Sequence, residues 1–141
     1  FIIGYPGESN QDYKDTLRLI NKINFINSYS FIYSPRPGTA AANLGEIDKV
    51  EAEKRLKIIQ NQLFKNQINR NKSFEGQIVE VLVENKMKDK IKLFGRTEHM
   101  VSVIFNGDIE NIGKIVQVKI NNSNQNSLFG TIIKTQNKKV A

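Results

Sequence analysis

The stretch Tyr33-Ser34-Pro35-Arg36-Pro37-Gly38-Thr39 organises the reading of this 141-residue chain. Two prolines fix φ near about −65° and remove two backbone donors. The residues before them, Ser34 and Arg36, are driven toward extended backbone. Gly38 then permits a turn that a side chain would forbid. A stiff, non-helical loop results, and it holds Arg36 in one place. The planar guanidinium fork suits phosphate or carboxylate. A rigid connection with a solvated or ion-paired Arg36 is the plainer alternative.

Upstream of the loop, Tyr29 to Tyr33 reads as a strand. Phe1-Ile2-Ile3 reads as the end of a buried, parallel strand, stopped by Gly4, Pro6 and Gly7. Ser9 and Asp12 form a capping-box pattern opening a helix over Asn10 to Asn24. Tyr13, Leu17, Ile20 and Ile23 make its apolar face. Strand, helix, strand is a βαβ unit with a right-handed crossover expected. Both punctuated loops, Gly4 to Ser9 and Ser34 to Thr39, lie beyond the carboxyl ends of the strands, where such sheets hold ligands.

Downstream, Asp48 and Glu51 repeat the capping pattern before a helix over Lys49 to Asn69. Its apolar stripe is Ala52, Leu56, Ile59 and Leu63, with Ile68 near the end. Lys54, Arg55, Lys57, Lys65 and Arg70 read as a solvated face. Asn69 to Ser73 has no apolar residue and reads as a linker, dividing the chain into residues 1–73 and 74–141. From Phe74 the period changes to alternation. Gln77–Glu84, Ile91–Gly95, Val101–Phe105, Lys114–Ile120 and Leu128–Lys134 read as five short strands closing into a small OB-like barrel. Its expected interior is Val81, Val83, Val103, Phe105, Val116, Val118 and Ile132. The fold class is therefore α/β followed by all-β.

The net charge of +7 favours an anionic partner, although a chain rich in Lys, Asn and Ile together needs no partner for part of it. The excess is +4 in residues 1–73 and +3 after them. No cysteine is present, so no disulfide or thiolate metal site is possible within this sequence. No apolar run approaches membrane-spanning length. The single histidine, His99, has no second His or Cys to share a metal and reads as a loop residue. Lys86, Lys88, Lys90 and Lys92 alternate, which on an extended segment makes one positive stripe. Arg96, Lys114 and Lys119 are further phosphate contacts. Phe94 and Phe129 offer stacking surfaces for unpaired bases, while either ring taken alone reads as barrel packing.

The loop from Tyr33 to Thr39 with Ala41-Ala42 resembles the end of the radical-SAM domain of the tRNA methylthiotransferases. Phe1-Ile2-Ile3-Gly4-Tyr5-Pro6-Gly7-Glu8 resembles that family's Gly-(Phe/Tyr)-Pro-Gly-Glu strand and turn. Val81-Leu82-Val83-Glu84, Gly95-Arg96-Thr97 and Asn126-Ser127-Leu128-Phe129-Gly130 resemble its C-terminal TRAM domain, a small RNA-binding barrel. The resemblance implies that residues 1–73 end a radical-SAM (TIM-like) barrel and that the chain is the C-terminal part of a longer cytoplasmic, monomeric enzyme. It implies S-adenosylmethionine and two 4Fe-4S clusters as cofactors, with the cluster cysteines lying elsewhere and the segment inactive alone. Ile2 and Gly4 would line S-adenosylmethionine, as in the family pattern Ile-x-Gly-x-x-Glu; Glu8 falls one residue late for it. Arg36, Lys88, Lys90, Arg96, Lys114 and Lys119 would bind the tRNA anticodon stem-loop. Arg36-Pro37 and Asn126-Ser127-Leu128 look most like the branch that adds a methylthio group to C2 of a prenylated adenosine next to the anticodon. Branches acting on a ribosomal protein or on threonylcarbamoyl-adenosine, and a non-catalytic RNA-binding module, are the alternatives.

Overall fold

The computed structural model describes residues 1–23, 25, 27–88 and 91–133. They form two compact units, Phe1–Gln67 and the residues from Ile68 onward.

In the first unit, strand β1 (Ile2–Ile3) pairs in parallel with β2 (Phe31–Ile32), and helix α1 (Asn10–Lys22) lies between them in sequence. The βαβ expectation is met. β2 is shorter than the expected Tyr29–Tyr33 because its partner offers only two paired residues. The Ser9 hydroxyl accepts from Asp12 N–H at 3.1 Å and the Asp12 carboxylate accepts from Ser9 N–H at 2.9 Å, which completes the first capping box. The second is half formed. Asp48 accepts from Glu51 N–H, but the Glu51 carboxylate turns to Arg55 instead of back to Asp48.

The core of this unit is Ile3, Tyr13 and Ile20 against Ile59 and Leu63 of α2 (Lys49–Lys72), with Phe1, Leu17, Phe25 and Leu56 packed around them. Ile23 was expected on the apolar face and is exposed. The helix stops at Lys22 and Ile23 is already extended, so it leaves the stripe. Ile68 is likewise exposed. Arg55 was expected on a solvated face and is only 8 % exposed, so it is part of the packed interior.

Asn69 to Ser73 is not a linker. α2 runs through Lys72, and the buried Asn71 amide donates to the carbonyls of Asn124 and Gln125 at 2.8 and 2.9 Å. Hydrogen bonds to carbonyls, not apolar contacts, hold this last turn, so hydropathy did not reveal it.

The second unit is a closed five-stranded barrel of β3 (Ile78–Lys86), β4 (Lys92–Arg96), β5 (Ser102–Asn106), β6 (Ile115–Ser123) and β7 (Leu128–Ile132), in spatial order β3-β4-β5-β7-β6. β5 and β7 pair in parallel; the other pairs are antiparallel. Closure leaves no free sheet edge. Val81, Val83, Val103, Phe105 and Val118 fill the interior as expected. Val116 and Ile132 are only half-buried at its margin, and Leu93, Val101, Ile120 and Leu128 fill the space instead. Two glycines set this parity. A Cβ on Gly95 would lie 2.6 Å from Val81 Cγ1 and collide with the Leu82 carbonyl oxygen. One on Gly130 would lie 2.5 Å from both Val118 Cγ1 and the Lys119 carbonyl oxygen. Each glycine faces inward where neighbouring strands press close, so the leucine two residues earlier also faces inward and the phenylalanine between them faces out.

Candidate nucleic-acid interface

The motif Leu-Phe-Gly occurs twice, at Leu93-Phe94-Gly95 in β4 and Leu128-Phe129-Gly130 in β7. Phe94 is in register with Ile104 of β5, and Ile104 is in register with Phe129. These three half-buried side chains form one outward row across three adjacent strands. Burial of either phenylalanine inside the barrel, the plainer reading of each ring, does not occur. Asn122 of β6 continues the row beyond Phe129.

Cations bracket the row. On one side Arg96, in register with Ser102, sets its guanidinium 5.6 Å from the Phe94 ring centre. It also faces Glu84 at 3.7 Å. A half-exposed pair of this length is worth at most about 1 kcal/mol, so the guanidinium is free to exchange carboxylate for phosphate. On the other side the next row runs Lys92, Asn106, Thr131, Lys119. The outward residues of β4, β5 and β7 include no carboxylate.

The Gly-Arg-Thr segment has a physical reason for each member. Gly95 permits the close strand approach and Arg96 projects onto the outer face. Thr97, nearly buried, accepts from Met100 N–H through its carbonyl and from Val101 N–H through its hydroxyl, which ties the β4–β5 hairpin.

The remaining expected contacts are scattered. The lysine stripe does not form. Met87 N–H donates to the Lys92 carbonyl at 2.8 Å, so the chain reverses between Lys86 and Lys92 and the two-residue period does not carry across. Lys88 is exposed in that turn, and Lys90 lies outside the described residues. Lys114 is exposed just before β6. His99 is half-exposed, 3.7 Å from Glu98, and no cluster of metal-ligating side chains occurs among the described residues. A broad open cleft of about 1190 Å³, which Asn106 of the polar row borders, is lined by both Lys86 and the carboxylates of Glu80 and Asp108 and so offers a phosphate backbone no net positive surface.

In the first unit, Arg36 is exposed on its turn. Its carbonyl accepts from both the backbone N–H and the hydroxyl of Thr39, and Gly38 has φ +81°. The guanidinium itself has no hydrogen bond or ion pair among the described residues. Ile2 is 62 % exposed, an apolar face beside Gly4, whose φ is +76°. Glu8, which sequence reasoning left without a role, clasps this turn. One carboxylate oxygen accepts from Gly4 N–H at 2.8 Å and the other from Arg55 at 2.7 Å. The Glu8 hydrogen bond, with help from Glu51, holds the Arg55 guanidinium above its ordinary value against the cost of burial. Arg55 also lies 5.2 Å from the Tyr13 ring centre.

Residues 72–133 match the family model for the TRAM domain. The matched stretch takes in all five barrel strands, β3 to β7. The whole chain is 66 % identical over 141 residues to a tRNA-2-methylthio-N(6)-dimethylallyladenosine synthase of Pelagibacter ubique (strain HTCC1062), covering 32 % of that protein. It is 46 % identical over 134 residues to the synthase of that name from Ruthia magnifica subsp. Calyptogena magnifica, covering 94 % of this chain and 30 % of the relative. With the one from Yersinia pestis (strain Pestoides F) the identity is 41 % over 138 residues, 96 % of this chain and 29 % of the relative. The chain thus spans about a third of the length of the curated relatives it matches. The similarity to these relatives reaches well upstream of residue 72, into the unit that carries Glu8 and Arg36.

Proposed function

We propose that this chain is the C-terminal part of an enzyme that adds a methylthio group to C2 of a prenylated adenosine beside the tRNA anticodon, and that its TRAM domain grips the tRNA. The end-to-end identity of 66 % to a synthase named for that product carries the reading. Arg96, Lys92 and Lys119 around an outer row of β4, β5 and β7 that itself carries no carboxylate support the RNA role. Arg36, Lys88 and Lys114 are further phosphate contacts in this reading, with Lys90 beside them in sequence. In this reading the enzyme is cytoplasmic and monomeric, as its family resemblance implies.

Residues 1–73 would end a radical-SAM barrel. The parallel β1–β2 pair with α1 between is the repeat from which such barrels are built. The exposed Tyr29 and Phe31 are apolar surface that further barrel elements would cover. S-adenosylmethionine and two 4Fe-4S clusters would supply the radical and sulfur chemistry. Cluster thiolates do not fit here, because the sequence has no cysteine, so other parts of the protein would hold the clusters. The exposed aliphatic side chain of Ile2, beside the Gly4 turn that Glu8 clasps, supports S-adenosylmethionine binding there, with Ile2 against the adenine.

Mass spectrometry of tRNA nucleosides from a strain lacking the gene tests the activity. The methylthio form of the prenylated adenosine should vanish while the prenylated precursor accumulates. Persistence of the methylthio form, with loss from a ribosomal protein or from threonylcarbamoyl-adenosine, would move the enzyme to another branch. Removing residues 74–141 from the whole enzyme should weaken tRNA binding in a gel-shift titration and leave uncoupled S-adenosylmethionine cleavage detectable. Unchanged affinity would remove the RNA role from the barrel.

A further inference from the structure

The outer face of β4, β5 and β7 combines two features that a phosphate-binding surface alone does not need. It places two aromatic rings and an isoleucine in one row, and it flanks that row with cations, with no carboxylate at the outward positions of these three strands and Glu84 of β3 facing Arg96 at one end. Phosphate contacts require only the cations. The rings are not needed by the interior: they sit outside the barrel core, partly exposed, on strands whose inward positions already fill it.

We infer that Phe94, Ile104 and Phe129 form a stacking platform for unpaired nucleotides of RNA. The inference rests on the RNA-binding reading above and narrows it from RNA in general to single-stranded RNA. Adjacent strands lie about 4.8 Å apart, so rings two strands apart are separated by roughly 10 Å. That spacing lets two splayed bases lie on Phe94 and Phe129 with Ile104 between them. Arg96, whose guanidinium lies 5.6 Å from the Phe94 ring centre, supplies a cation at that end of the row and would leave one face of the ring to a base, and Lys119 lies one row away toward the other edge. The bases of a duplex are stacked on one another and cannot reach these faces. The ligand is therefore an unpaired segment such as a loop, and stacking without edge-reading groups makes it tolerant of sequence. The charge of the face decides between occupants: its outward positions offer cations and no carboxylate, which suits a polyanion and not a second copy of a chain carrying +7.

Fluorescence anisotropy with the whole protein tests this, using a short oligouridine and a short blunt RNA duplex as probes. Phe94→Ala and Phe129→Ala should each weaken oligouridine binding roughly tenfold and leave duplex binding unchanged. Phe94→Leu and Phe129→Leu keep apolar cover on the barrel but remove the ring, and should show the same selective loss at an unchanged melting temperature. Ile104→Glu, which sets a carboxylate in the middle of the row, should abolish oligouridine binding. Equal loss for both RNAs, or no loss for either, overturns the platform while the RNA reading stands. A wild-type protein that binds neither RNA overturns both. A dimer in sedimentation that Phe94→Leu converts to monomer, with oligouridine binding intact, would assign the row to self-association and overturn the inference.

Discussion

Arg55 donates to Glu8 at 2.7 Å, with the two side chains only 9 % and 12 % exposed. The pair joins residues 47 positions apart and pins the β1–α1 turn to α2 through the Glu8–Gly4 bond. A buried pair is costly to break because the surviving charge has no partner. Arg55→Leu should therefore destabilise the first unit by roughly 3 kcal/mol, read by urea unfolding. Combining it with Glu8→Gln should recover part of that loss. A purely additive double variant would show that the two side chains act independently.

Tyr13 gives a pH-dependent prediction. Its hydroxyl is buried with no hydrogen-bond partner, and burial pushes the phenol above its ordinary value near 10, with the Arg55 charge opposing and Glu51 and Glu8 adding to the rise. The folded protein thus keeps a proton that the unfolded chain releases at about pH 10. The associated stability is complete below that pH and is lost as the pH rises through the folded value. Tyr13→Phe should flatten the alkaline limb of a melting-temperature profile. At neutral pH it should be neutral or stabilising by about 1 kcal/mol, because an unsatisfied hydroxyl is removed.

Gly95→Ala and Gly130→Ala should each destabilise the barrel by roughly 2–3 kcal/mol, since the added methyl meets neighbouring backbone that cannot yield. Gly45→Ala is the control: nothing lies within 4 Å of its Cβ position and its φ is not positive. Chemical denaturation followed by circular dichroism separates the two cases.

Lys119→Gln and Arg96→Gln should each lower the slope of log affinity for tRNA against log salt by about one. Lys88→Gln, at a further phosphate contact in the β3–β4 turn, should lower the slope by a similar amount. A filter-binding salt series measures all three.

Much of this architecture was legible in the sequence. Ser9 with Asp12 announced α1, and alternation after Phe74 announced the barrel. The aromatic row was harder. Leu-Phe-Gly places two apolar side chains in succession, so hydropathy cannot say which faces inward. The glycine decides it, because only a residue without Cβ fits where strands press together. Arg55 was misread for a related reason. It is three residues after Ala52 and four before Ile59, on the apolar stripe, but its charge argued for water. A guanidinium reaches the interior when a carboxylate waits there, and Glu8 is distant in sequence. The turn at Asn71 was invisible because its partners are the carbonyls of Asn124 and Gln125, which no side-chain pattern reports.

That turn has a practical corollary for dissecting the protein. A scalpel placed before Phe74 would remove the Asn71 amide that braces the β6–β7 connection, leaving the carbonyl oxygens of Asn124 and Gln125 without that partner. Excised there, the β-module should fray at Asn124–Gln125. Cut ahead of Ile68, it would carry its own brace.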